Sequence, residues 1–263
     1  MVNDKVPVLA AYALPLVAGP NVPGVSLTFD APPKSVKLEA VRHDPGRGLL
    51  VLDAFKRGIW ATVRFDAAGQ PLVDRTPTGL DTPPAGFDGL PPEPFEYIVV
   101  EGLAVTPRGA LFGVRGYEPK GQRDALKPMP AILATDGRIA RTTPLVVDGK
   151  GYGLSDLICP PGLPDRCFET WSFENEGGAN RTDVAGVLAV APLVDGLPGE
   201  PQVCRRFEGK PEGVARYGDT LIVIFDNDLA RKRPGDPTGF DLRGDEDFAE
   251  VLPLSVCPAP SPR

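Results

Sequence analysis

The apolar residues of this chain fall in short runs, each closed off by a turn rich in Gly, Pro or Asp. Runs at 49–53, 110–114 and 220–225 are rich in β-branched and other bulky apolar residues and read as strands. Each follows a turn, at 44–48, 107–109 and 217–219, and each turn follows a shorter strand of small apolar residues that opens on an acid. The pattern predicts hairpins. The opening segments are Leu38-Glu39-Ala40-Val41, Val100-Glu101-Gly102-Leu103-Ala104-Val105, Gly153-Leu154-Ser155-Asp156-Leu157 and Lys210-Pro211-Glu212-Gly213-Val214-Ala215. The third hairpin is the least regular, because a cysteine-bearing loop precedes its second strand at 167–173.

A third strand follows each hairpin (59–65, 131–135, 184–191, 248–254), and often a fourth (70–74, 143–147, 201–207). The unit recurs every 55–62 residues, as expected for the four-stranded blades of a β-propeller. Counting acidic starts gives four blades, with five or six the commoner sizes. Strands at 8–14 and 25–29 are left without a blade, and the last repeat lacks a fourth strand, so an N-terminal strand is expected to complete it and close the ring. The expectation is an all-β β-propeller forming a single domain over 1–263. Long Pro-, Gly- and Asp-rich loops at 76–94 and 231–247 are expected to cover a face or recognise a partner.

Composition agrees. The 30 glycines and 32 prolines among 263 residues disfavour long helices. A formal charge of -7 argues against nucleic acid, which demands a basic footprint. No run approaches the roughly 20 apolar residues that span a bilayer, so the chain is expected to be soluble. Residues 6–19 have the apolar content of a signal-peptide core, but their flank lacks net positive charge and Pro7 and Pro15 interrupt them; Met1 is expected to stand where a signal has been removed. Four cysteines, none in a CxxC pair and with one histidine in the chain, do not suit zinc. Cys159 and Cys167 bracket a Pro-rich turn, which favours a local disulfide and leaves Cys204 for Cys257; four free thiols are the alternative. Disulfides place the protein in a periplasmic or secreted setting.

In an antiparallel hairpin the start of the first strand lies beside the end of the second. That sets Glu39 near 53–57, Glu101 near Arg115, Asp156 near 174–176 and Glu212 near 226–228, all at one end of a central channel. Four such carboxylates need neutralising, and a calcium ion, which takes oxygen ligands, is the simplest means. The candidate metal ligands are Glu39, Glu101, Asp156, Glu212 and Asn227. The competing reading gives each acid a backbone N–H, Arg115 or Lys210 as partner. Lys56 and Arg115, with Arg57, Lys232 and Arg233 nearby in this layout, are candidates to bind an anionic substrate. His43, the one histidine, falls at the far end of its strand from Glu39 and reads as a turn or surface residue rather than a base. No GxSxG elbow surrounds Ser155, and the polar segment 174–183 lacks EF-hand spacing and reads as a hairpin tip.

The segment from Val100 to Pro107, and Lys210 to Ala215 followed by Leu221 to Asp228, resemble the esterase-like, phytase-like propellers of bacteria, in which E-G-[LIV]-A segments recur at the channel. The resemblance runs from about residue 36 to 230. It implies a metal at the channel mouth and a phosphoesterase or related hydrolase role. Two functions stay open: a calcium-dependent propeller that binds and hydrolyses a phosphate ester or lactone, and a non-catalytic binding protein with a structural ion and a loop-borne surface for a protein or sugar. In both, a small anionic ligand or an unidentified protein or sugar is the partner, with no nucleic acid and no membrane span.

Overall fold

The structure is a computed structural model that describes residues 2–3, 8–11, 25–29, 37–54, 58–75, 86–122, 126–141, 143–174, 184–226 and 248–259. They are all-β as expected; among them there are strands and short 3-10 turns but no α-helix, so no helix is long and apolar enough to cross a membrane. The chain packs as two compact units, Met1–Pro84 and Ala85–Arg263. Four of its sheets have the meandering strand order of propeller blades, one in the first unit and three in the second.

In the first unit, β1 (Val2–Asn3), β2 (Val8–Ala11) and β3 (Val25–Thr28) form a sheet of their own. The first blade is the antiparallel meander β4 (Leu38–Asp44), β5 (Gly48–Asp53), β6 (Gly58–Phe65) and β7 (Pro71–Asp74). Its inner strands are buried, with Leu38, Val51, Ala61 and Val63 packed against Phe29, whereas β7 is mostly exposed. This is the in-to-out gradient of a blade.

The second unit holds the other three. The second blade is β8 (Phe95–Thr106), β9 (Gly109–Pro119), β10 (Lys127–Ala134) and β11 (Ile139–Arg141). The third comprises β12 (Leu145–Val147), β13 (Lys150–Ile158), β14 (Arg166–Glu174), β15 (Val184–Val194), β16 (Leu197–Pro198) and β17 (Gln202–Phe207). The fourth has three strands, β18 (Lys210–Tyr217), β19 (Thr220–Asp226) and β20 (Phe248–Pro253). Leu154, Leu157 and Trp171 of the third blade pack on Ala104, Leu111 and Ile132 of the second. On the other side Ile158 and Phe168 meet Val214, Val223 and Phe225 of the fourth. Glycine makes the first of these contacts fit: a Cβ on Gly113 would lie 2.8 Å from the Leu154 side chain and 3.1 Å from the Gly102 backbone. The small residues of the inner strands are thus set by how closely neighbouring blades approach.

One expectation about strand partnership needs correction. Residues 143–147 were expected to end the second blade, but β12 pairs with β13 and opens the third. The reason is local: Asp148 and Gly149 both adopt positive φ (52° and 77°), the backbone of a two-residue hairpin turn, so the chain folds straight back. β2 and β3 pair with each other, and among the described residues the partner of β20 is β19. The cysteines pair as favoured, Cys159 with Cys167 and Cys204 with Cys257, leaving no free thiol.

Candidate functional site

Every inner strand carries a β-bulge at or beside the position where the sequence places its chemistry. Between Leu38 and Ala40 of β4 the register with β5 shifts by one residue, and Glu39 is the extra one. The same shift leaves Glu101 extra on β8 and Glu212 extra on β18. Bulges re-aim a side chain out of the regular alternation. In the third blade the extra residue is Ser155, because Leu154 and Asp156 face consecutive residues of β14. By register, then, the third-blade counterpart of the three glutamates is a serine, and Asp156 is its neighbour.

In the first unit, Glu39 pairs with Lys37 at 2.5 Å. Asp53, fully buried, accepts the Lys37 backbone N–H at 3.2 Å. His43 is exposed at the turn end of β4. The substrate-binding candidate Lys56 lies outside the described residues, as do Arg57, Lys232 and Arg233.

In the second unit, Glu101, Asp156 and Glu212 stand on the inner strands of three successive blades, and their partners link those strands. The β8–β9 ladder shifts again at Arg115, so Arg115 is the extra residue on β9 as Glu101 is on β8. Arg115 Nη1 donates to both oxygens of Glu101, at 3.1 and 3.0 Å, and lies 3.6 Å from Glu212. Lys210 Nζ sits 2.6 Å from the same Glu212 carboxylate. Asp156, 3 % exposed, accepts the backbone N–H of Val214 at 3.0 Å. One guanidinium therefore joins the second blade to the fourth, and one carboxylate joins the third to the fourth. The protein itself supplies positive charge and a backbone donor where an ion was expected, which is what buried carboxylates require. Among the described residues no three His, Cys, Asp or Glu side chains are grouped to hold a metal ion, and Asn227 lies outside them.

At the equivalent place in the third blade, the hydroxyls of Ser155 and Ser172 share a hydrogen bond of 2.7 Å and are 1 % and 2 % exposed. Ser172 also lines a cleft between β9–β10 and β13–β14, together with Arg115, Leu126, Pro128, Gly151, Gly153 and Phe173. Gly153 is the hinge of this arrangement: a Cβ there would sit 2.7 Å from Arg115 Cγ, so its bareness lets the Arg115 stem cross to the third blade. Lys150 places its ammonium 4.7 Å from the centre of the Phe173 ring, close to the cleft.

Reasoning from sequence missed a second buried pair. Arg141 of β11 donates to Glu169 of β14 at 2.6 Å, Trp171 Nε1 donates to the other Glu169 oxygen at 2.9 Å, and Arg141 also reaches the Gly199 carbonyl at 2.5 Å. Burial pushes the Glu169 pKa up, against the pull of Arg141. An apolar strand, Cys167 to Phe173, with one acid and one tryptophan two residues apart was the available signal.

Comparison with models of protein families finds no match, and comparison with curated proteins finds none. Among solved structures the chain is similar to the soluble aldose sugar dehydrogenase of Escherichia coli in its apo form, at 16% identity and a TM-score of 0.38. The superposition covers 61% of this chain and 46% of that one, so the likeness spans under half of the dehydrogenase.

Proposed function

We propose that this chain is a binding protein for a small anionic ligand, taken up in the cleft beside Arg115, and that its charged cluster holds the blades together. The observation that supports this best is the lining of the cleft. It combines Arg115, Ser172 and Phe173, with the Lys150 ammonium over the Phe173 ring. Such a lining suits an anion with a compact apolar body. Ser155, the hydroxyl nearest the cluster, bonds to a second serine rather than to a general base, which favours binding over nucleophilic catalysis. The two disulfides fit a secreted or periplasmic protein.

A second reading keeps the resemblance to phytase-like and esterase-like propellers: a calcium-dependent protein acting on a phosphate ester or lactone through Glu101, Asp156 and Glu212, with Glu39 and Asn227. What favours it is that three successive inner strands carry an acid beside or at their bulge, two of them on one guanidinium. Against it, Arg115 and Lys210 already meet Glu101 and Glu212.

One experiment separates the two. The dialysed full chain is assayed for bound metal, titrated with phosphate, sulfate and acetate by calorimetry, and screened on generic phosphomonoesters and esters. Saturable anion binding without metal or turnover supports the binding protein. Retained calcium with chelator-sensitive turnover supports the enzyme, and no response to any anion removes the first reading.

A further inference from the structure

We propose that the cleft between the second and third blades is a subsite for a monocarboxylate, whose carboxylate takes the place that the bulge glutamate occupies in the other three blades. The inference deepens the anion-binding reading and rests on it. It starts from the register: Glu39, Glu101 and Glu212 are the extra residues of their bulges, and Ser155 is the extra residue of the third. At that one inner strand the side chain is two heavy atoms shorter and carries no charge.

The opposite strand matches the change. Arg115 follows the residue that faces Val100 in the second blade, and Ser172 follows the residue that faces Leu154 in the third. The Glu101–Arg115 ion pair of one blade is thus replaced by a Ser155–Ser172 hydroxyl pair in the next. Two hydroxyls carry two protons, and a hydrogen bond between them uses one. The second proton has no acceptor among the described residues, although both serines are almost wholly buried. A buried donor of this kind ordinarily finds an acceptor. Ser172 lines the cleft, so the acceptor belongs there.

Charge narrows the class. Around the cleft and the adjoining cluster stand Arg115, Lys150 and Lys210 with Glu101, Asp156 and Glu212. A single negative charge costs less there than a doubly charged phosphate in a partly desolvated space. Gly151 and Gly153 leave the wall bare where that head group would lie.

The test uses the full chain with formate, acetate and inorganic phosphate as probes, followed by the NMR shifts of Ser172 and Phe173 amides. Wild type is expected to saturate with formate and acetate more tightly than with phosphate. Ser155→Glu, which restores the glutamate of the other blades, is expected to abolish the carboxylate response. Ser172→Ala, a mild change should the first variant fail to fold, is expected to weaken it about tenfold, the effect of one hydrogen bond to a charged group. If phosphate saturates the site and carboxylates do not, this inference fails while the anion-binding reading stands. If no probe gives a saturable shift, both fail. A carboxylate response unchanged in Ser172→Ala also overturns the assignment.

Discussion

Glu101 and Arg115 are both left out of register by the β8–β9 ladder, one on each strand, and they are bonded to each other at 3.0 Å. Paired bulges turn both side chains to the same place, where the guanidinium also reaches Glu212. The pairing is a product of strand register, and the behaviour of variants follows from it.

Replacing Arg115 with methionine leaves Glu101, with a 7 % exposed side chain, facing low-dielectric surroundings without its guanidinium. The expected loss is about 3–5 kcal/mol in urea unfolding. Adding Glu101→Gln to the same variant should recover part of it, because the stranded charge goes with it. A pair that adds independently in a double-mutant cycle would contradict the contact.

Arg141 and Glu169 predict a similar loss from a more deeply buried pair, with side chains 4 % and 0 % exposed. Glu169→Ala strands the guanidinium and should cost about 3–5 kcal/mol, whereas Arg141→Met with Glu169→Leu should be much milder. Thermal melts of the three variants decide this. Because the bond bridges β11 to β14, hydrogen exchange should quicken on both blades in the single variant.

The two disulfides differ in the length of chain they close, 53 residues for Cys204–Cys257 against 8 for Cys159–Cys167. Chain entropy gives about 4 and about 2.5 kcal/mol respectively. Replacing each pair with serines should therefore lower the melting temperature more for the first, and the loss should centre on the fourth blade, where Cys257 packs with Val214, Leu221 and Phe225.

Glu93 makes a pH-sensitive tie. It accepts from Lys127 at 2.6 Å and from the Tyr117 hydroxyl at 2.8 Å, and these bonds, Lys127 first, hold its pKa below 4.5. A depressed carboxylate contributes stability that is complete above the unfolded value and is lost as pH falls through the folded one. The segment before β8 should stay docked at neutral pH and loosen in the acid range below 4.5. Hydrogen exchange of residues 93–99 across that range, with Glu93→Gln as the variant lacking the step, is the measurement.

Much of the fold was legible in one dimension. Turn residues between β-branched runs marked the hairpins, the recurring acid marked the inner strands, and the Pro-rich turn between Cys159 and Cys167 marked a local disulfide. These are short-range signals, written in the residues that make the structure. The Asp148–Gly149 turn was equally visible in kind, yet spacing alone assigned its strand to the wrong blade.

What the sequence determined by itself was an all-β chain of repeated hairpins with an acid at the start of each inner strand, because alternation and turn chemistry act between near neighbours. Tertiary structure alone decided that Ser155 and not Asp156 stands where the glutamates do, and that Arg115, Lys210 and the Val214 amide answer three of those acids. The physical reason is that a bulge is a relation between two strands, and an ion pair depends on which side chain comes within about 4 Å; neither distance is written in the order of residues.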